Sequence, residues 1–364
     1  MKVFKKVALI IGLIYLFLLS IKLMGVSFKM IGGDFSSNLV GLVSNPFLGL
    51  FVGLLVTSIV QSSSFTTSLV VTLVAAGVLD LSTSIPIIMG ANIGTTVTNT
   101  LVSLAHISWK HEFKKAFAAA TIHDFFNLMT VAILFPLELK FGLIEKFSIS
   151  LGTVFEKTGG VKIFNPMDFV LSPANNFLKF LIFKFLKIPA TAGSIILAVL
   201  ALFILFCSLY FLVKVLKSAM RDRLEILLDR YLFRNAFLSM LMGFAVTAVV
   251  QSSSITTSLI VPLAGAGVLT LEKIFPYTLG ANVGTTMTAI LASLATGNLT
   301  AVTVSFAHLI FNLLGIAIFY PLKRIPIGVA RWMGEKAGEN RTKAIIYLIL
   351  FFYVVPVLLI FVFR

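Results

Sequence analysis

The sequence predicts an all-α polytopic membrane protein built from inverted-topology repeats, with two re-entrant helical hairpins and two broken transmembrane helices. Three observations carry this. The chain has 364 residues, of which 59% are hydrophobic and only 12% charged, with a mean hydropathy of +1.05. Several apolar stretches reach about 18 residues or more, enough to cross a bilayer as helices. Gln61-Ser62-Ser63-Ser64 returns as Gln251-Ser252-Ser253-Ser254, each copy followed by Thr-Thr-Ser-Leu. Finally, lysines and arginines sit mostly between apolar segments, the pattern of topology signals rather than of a nucleic-acid surface, despite the net charge of +15.

The elements follow in order. Lys2, Lys5 and Lys6 precede an apolar run from Val7 to Ile21. No small-x-small site marks a cleaved signal peptide, so this run is read as the first transmembrane helix. Leu48–Val60 and Phe65–Leu79 flank the first serine run, and Leu238–Val250 and Ile255–Leu269 the second. Each arm is too short to span, so each pair reads as a hairpin that enters and leaves by one side. Next come Ile85–Leu104 and Phe275–Leu294, carrying Gly90-Ala91-Asn92-x-Gly94-Thr95-Thr96 and Gly280-Ala281-Asn282-x-Gly284-Thr285-Thr286. Their glycines and hydroxyls predict helices unwound near the midplane. Full spans follow at Phe113–Pro136 and Ala301–Pro321, with His123, Phe126 and Asn127 matched by His308, Phe311 and Asn312.

Gln61–Thr98 lies over Gln251–Thr288 without a gap and is identical at more than half of its positions, so the chain is a duplication. The expected divisions are 1–136 (first repeat half), 137–189 (external segment with interfacial helices), 190–321 (second, inverted half) and 322–364 (basic loop and terminal transmembrane helix). Within the external segment, Asn176–Ile188 with Lys179, Lys184 and Lys187 reads as an amphipathic interfacial helix. Three crossings separate the two hairpins: a broken helix, a span and the return helix Thr191–Leu212. With the N-terminus inside, most of the 29 basic residues fall inside, including the linker bearing Lys214, Lys217, Arg221, Arg223, Arg230 and Arg234. The hairpins then face opposite sides, which makes the repeat inverted.

Each serine run places six hydroxyl side chains in Gln61–Ser68 or Gln251–Ser258 at membrane depth. A hydroxyl in hydrocarbon needs a partner, so the doubled patch points to a polar substrate, an ion or both. The bland alternative is that these side chains only glue helices or bond back to their own helix. Cys207 is the single cysteine, so no internal disulfide forms. There is no P-loop, metal cluster or nucleophile triad, and the protein is expected not to be an enzyme.

The paired Gln-Ser-Ser-Ser runs, the two Gly-Ala-Asn-x-Gly-Thr-Thr segments and Thr121-x-His123-Asp124-Phe125-Phe126-Asn127 resemble the type II sodium-dependent phosphate cotransporter family. The likeness covers roughly Leu39–Pro136 and Ala236–Pro321. It implies sodium-coupled import of inorganic phosphate by alternating access across the cell membrane. Phosphate must exchange its water for many donors, which helix starts and hydroxyls supply. Ser62, Ser63, Ser64, Ser252, Ser253 and Ser254 are the expected phosphate ligands. Sodium needs hard oxygens, expected from Gln61, Thr66, Thr67, Asn92, Thr95, Thr96, Gln251, Thr256, Thr257, Asn282, Thr285 and Thr286.

No cofactor or transition metal is expected, sodium being a co-substrate. The expected partners are phosphate, sodium and membrane lipid, with no nucleic acid. A homodimer and a cytoplasmic phosphate-regulatory protein are compatible further partners, since bacterial relatives often carry a regulatory domain beyond the position of Arg364. Asp124, which has Leu309 as its counterpart, reads equally as a structural knot or a transport residue. Asp80 is the one acid near the place where family members differ by an acid. Two competing functions are the same machine for another oxyanion, such as sulfate or arsenate, and a non-transporting scaffold for phosphate signalling.

Overall fold

The computed structural model describes residues 2–31, 41, 43–158, 166–231 and 235–364, with backbone alone at 2–4, 166–168 and 219–231. The side chains of Arg221, Arg223 and Arg230, and all of Arg234, therefore lie outside the described residues. Among the described residues every regular element is helical. The first half runs α1 (Lys2–Ile31), α2 (Pro46–Val60), α3 (Ser63–Ala75), α4 (Leu81–Gly94), α5 (Val97–Ser103), α6 (Lys110–Phe141) and α7 (Leu143–Lys157). Then come α8 (Pro166–Lys179), continued by a π turn at Phe180–Phe185, and the long α9 (Ala190–Tyr231). The second half runs α10 (Ala236–Val250), α11 (Ser253–Ser258), α12 (Ile260–Gly265), α13 (Leu271–Thr296), α14 (Leu299–Phe319) and α15 (Arg324–Glu339). α16 (Arg341–Ile349) and α17 (Val355–Phe363) close the chain through a π turn.

Among the described residues six helical stretches are long and apolar enough to cross a membrane: Lys5–Ile31, Leu81–His106, Lys110–Phe141, Ala190–Ser218, Leu299–Phe319 and Arg341–Phe363. The hairpin arms α2, α3 and α10 are shorter, as expected. α13 has the length to span, at 26 residues, but it carries Glu272, Lys273 and a run of threonines.

Three expectations need correction. The first Gly-Ala-Asn segment is interrupted at Thr95–Thr96, where the Thr96 N–H reaches back only to Ile93 O. The second is not broken: α13 is continuous from Leu271 to Thr296. The glycines instead allow backbones to touch. A Cβ on Gly90 would collide with the Leu50 carbonyl, and one on Gly53 with the Ile87 carbonyl. In the second half Gly280 meets Met240 O and Gly243 meets Tyr277 O in the same way. Small residues at the contact bring α2 onto α4 and α10 onto α13, the usual solution where lipid offers no hydrophobic drive.

The second correction concerns the second arm of the second hairpin. It divides at Leu259 into α11 and α12, because Pro262 has no N–H to give Ser258 O and crowds that carbonyl. Thr72 stands at the matching place in the first half, and α3 is unbroken. The third is the basic stretch after Pro321, expected as a loop. It forms α15, which buries Pro326, Ile327, Ala330, Gly334, Ala337 and Gly338 at helical spacing. Gly334 there approaches Lys114 O of α6.

The two halves interlock. α15 of the second packs on α6 of the first, α7 of the first packs on α14 of the second, and α1 lies along α9. Lys114–Glu335 (3.1 Å), Arg331–Glu272 (2.6 Å) and Arg341 to Ser108 O (3.0 Å) gather the basic starts of α6 and α16 with α15 at one end.

Candidate functional site

The chain turns each hairpin with one left-handed residue. Gln61 has φ 56°, ψ 31° and Gln251 φ 60°, ψ 23°, and each N–H returns to the threonine four residues back at 2.7 Å. A non-glycine residue in this region costs about 1–2 kcal/mol. Strain retained twice at one motif marks a site that the surroundings impose. The next residue is extended, and its hydroxyl caps the new helix. Ser62 Oγ accepts from Phe65 N at 3.2 Å, and Ser252 Oγ from Ile255 N at 3.4 Å. The first-turn N–H groups, at Ser63–Ser64 and Ser253–Ser254, have no acceptor within their helix. They add to the positive end of the helix dipole, which favours an anion.

The two tips meet. Ser64 Oγ donates to Gln251 O at 3.0 Å and lies 3.3 Å from Thr288 Oγ1, while Ser254 Oγ donates to Thr95 O at 3.1 Å. Beside this junction lies a cavity of about 600 Å³. Gln61, Ser62, Ser64, Gln251, Ser252 and Ser254 line it from the tips. Thr98 adds a hydroxyl, and α9 supplies an apolar wall with Lys214 and Lys217 at its end. Ser63 and Ser253 are buried behind the tips and off this wall, and Ser253 Oγ has no partner.

The expected sodium ligands divide into two groups. Most threonines give their proton to their own helix. Thr67 donates to Ser63 O (2.8 Å), Thr256 to Ser252 O (2.9 Å), Thr257 to Ser253 O (2.7 Å) and Thr95 to Ala91 O (2.9 Å). Thr96, Thr285 and Thr286 do the same, and Thr66 Oγ1 accepts from Thr57 at 2.8 Å. A hydroxyl whose proton is so placed presents only lone pairs elsewhere, as a hard cation requires. Asn92 and Asn282 belong to a different place, a buried knot that crosses between the halves. Asn127 Nδ2 donates to Asn92 O (2.8 Å), and Asn282 Nδ2 to Asn127 Oδ1 (2.9 Å) and Asn312 Oδ1 (3.0 Å). His308 Nε2 lies 3.2 Å from Asn92 Oδ1.

A family model described as Na+/Pi-cotransporter matches residues 16–156 and 204–359. The chain belongs to that family. Sodium-dependent phosphate transport protein 2B of Pongo abelii is 31% identical over 443 aligned residues, covering 96% of this chain and 64% of the relative. The 2B protein of Homo sapiens gives the same figures: 31% identity, 96% and 64%. Protein 2A of Rattus norvegicus is 32% identical over 423 residues, covering 96% and 66%. The chain thus spans just under two thirds of the length of these relatives. No solved structure matches it. Each stretch matched by the Na+/Pi-cotransporter family holds one complete serine tip with its paired glycine contact.

Several residues at this candidate site escaped the reading of the sequence. Thr288 donates to Gln251 Oε1 at 2.8 Å, and Asn99 Nδ2 to Thr257 Oγ1 at 2.8 Å. Thr288 is the counterpart of Thr98 in the repeat, a signal that was available; Asn99 faces Ala289 in the alignment and gave none. Asp124 is fully buried on α6. Its Oδ2 accepts from Tyr347 of α16 (2.9 Å) and Thr100 (3.4 Å), with Thr96 beside it, and its Oδ1 has no partner. Asp80 instead caps α4, accepting from Thr83 N at 2.8 Å, exposed and off the cavity wall.

Proposed function

We propose that the chain is a sodium-coupled importer of inorganic phosphate that works by alternating access between two inverted repeats, in the cell membrane. The observation that carries this reading is the convergence of two serine-capped helix starts on one cavity of about 600 Å³. Dipoles, free N–H groups and hydroxyls suit a small tetrahedral anion that must shed its water. The names of the relatives, sodium-dependent phosphate transport proteins, support the same substrates.

In this reading Ser62, Ser64, Ser252 and Ser254 hold phosphate directly, while Ser63 and Ser253 contribute backbone donors. The lone pairs of Thr66, Thr67, Thr95, Thr96, Thr256, Thr257, Thr285 and Thr286, with the amide oxygens of Gln61 and Gln251, receive sodium. Asn92 and Asn282 hold the sodium-bearing helices to each other. Asp124 supplies negative charge for one sodium, since its Oδ1 is buried with no partner among the described residues while Tyr347 and Thr100 donate to Oδ2. A bare carboxylate oxygen in that position costs several kcal/mol unless a cation or proton meets it.

Lys214 and Lys217, which belong to the linker expected inside, line the cavity, and this reading takes the form as inward-open. The two hairpins enter from opposite sides, with division near 1–136 and 190–321 and amphipathic helices at 137–189 on the outer surface.

The test is uptake of radiolabelled phosphate into proteoliposomes under an inward sodium gradient, with potassium or a large organic cation as the control. Uptake that needs sodium and resists a tenfold excess of sulfate is the expected result. Sulfate competition at equal strength would reassign the substrate to another oxyanion. Uptake that is absent in every cation would leave only the scaffold reading.

A further inference from the structure

We propose that Lys214 and Lys217 form a second anion subsite at the cavity mouth, where free phosphate is held between the serine tips and the solution. This rests on the phosphate-transport reading.

Both lysines lie on α9, outside the two hairpins. They continue one face of that helix: Phe206, Tyr210, Lys214 and Lys217 recur at helical spacing and all line the cavity. The ordinary role of a lysine at the end of a spanning helix is to snorkel toward lipid headgroups. These two sit instead on the face that closes the substrate chamber. They are its only charged lining residues, and no acid lines it with them, among the described ones. Both are exposed, and neither ammonium has a partner among the described residues.

The cavity is also larger than the tips need. One phosphate occupies a small part of about 600 Å³, so a partly hydrated anion fits between lysines and serines. The apolar wall of Phe206, Leu209 and Val213 between the two ends focuses the field of the lysines along the chamber. The tips hold no formal positive charge, so capture from solution falls to the mouth. The lysines supply the long-range attraction, and the serines supply the geometry.

The same chemistry could serve a phosphate group borne by a lipid, so the test separates the two sources. The full chain is placed in nanodiscs of zwitterionic lipid, with and without anionic lipid, and equilibrium binding of radiolabelled phosphate is measured in sodium. The double variant Lys214→Gln/Lys217→Gln is compared with Lys214→Arg/Lys217→Arg and with a remote control, Lys343→Gln. The glutamine variant is expected to bind about three- to tenfold more weakly at low ionic strength, the lower end of electrostatic focusing. The deficit should shrink at about 0.5 M salt, where the screening length falls to a few Å. Arginine should restore binding, and the control should not change it.

Unchanged affinity and salt dependence in the glutamine variant would overturn the proposal. So would unchanged phosphate binding together with lost retention of anionic lipid, which would give the lysines to the bilayer. If the unaltered protein binds no phosphate in sodium, the transport reading fails and this one with it; if it does bind, only the lysine subsite is on trial.

Discussion

In the first half Gln61 is exposed and makes no side-chain hydrogen bond among the described residues. In the second, Gln251 is buried, with Oε1 held by Thr288, Nε2 on Ala248 O, and its carbonyl taken by Ser64. Around them the pattern reverses. Thr57 ties the arms of the first hairpin through Thr66 at 2.8 Å, while its counterpart Thr247 is buried with no partner. Thr98 and Thr288 follow the glutamines instead: among the described residues Thr98 is unpaired where Thr288 is engaged. The tip sequences and backbone angles are nearly the same, so the difference comes from what surrounds them. One motif is seen in two conditions within one molecule. Such an asymmetry is what the proposed exchange between outward-open and inward-open forms would draw on in an inverted repeat.

The largest test of this comparison is the residue with no counterpart. Asp124 faces Leu309 in the repeat, so the second half offers no substitute for its charge. Asp124→Asn should weaken sodium binding by about 3 kcal/mol, on the order of 100-fold, the loss of one buried charge from a pair. Melting temperature without sodium should hold or rise, because a neutral amide replaces a buried carboxylate. Sodium titration of thermal stability reads both effects at once. Equal sodium dependence in the variant and the parent would make Asp124 a structural knot.

Next in size are the shared contacts. Gly90→Ala and Gly280→Ala each push a Cβ into a facing carbonyl, Leu50 O or Met240 O. Each should cost about 1–3 kcal/mol, as overpacking does, and the two losses should be similar. A large loss at Gly90 with none at Gly280 would mean that the two helix pairs do not pack alike.

These glycines also show what the sequence could and could not tell. Their repetition was plain, and so were the short paired arms around each serine run, because Gln-Ser-Ser-Ser between short apolar segments has few other readings. Their purpose was misread, since glycine serves unwinding and close packing equally and only the facing backbone distinguishes them. α15 was hidden because four of its six buried residues are alanine or glycine, which give little hydrophobic signal beside Arg331 and Lys336. The cavity was half legible: the tips followed from the duplication, but the part of α9 that faces them lies outside the repeated motif. Contacts that cross between halves, such as Asn99 with Thr257, depend on packing that no local pattern encodes.

A smaller effect separates the two glutamines directly. Gln251→Ala leaves the Thr288 hydroxyl and the Ala248 carbonyl without their partner and should cost about 1–3 kcal/mol. Gln61→Ala loses no bond and should change stability by under ~0.5 kcal/mol, as exposed substitutions usually do. Phosphate uptake should fall in both, because both side chains line the cavity. Chemical denaturation in one detergent reads the stability difference. Equal stability losses would mean that the open and closed tips are not distinct.

The smallest effect sits at the starts of α4 and α13. Asp80 accepts from Thr83 N at 2.8 Å and from Thr83 Oγ1 at 2.5 Å, whereas Thr270 makes no side-chain cap. Asp80→Ala should cost about 1 kcal/mol, and Thr270→Ala much less. Partial burial pushes the Asp80 carboxyl upward, but the bonds from Thr83 and Ser82 outweigh it and hold the group below its ordinary value of 3.8. A group depressed on folding adds stability that is complete above its unfolded value and is lost as pH falls through its folded one. The gap between parent and Asp80→Ala should therefore be full at pH 5 and above and should narrow below about pH 4. Thr270→Ala should show no such narrowing. A gap that stays constant into acid would mean that the cap acts as a neutral group, and the starts of α4 and α13 would no longer differ by a charged cap.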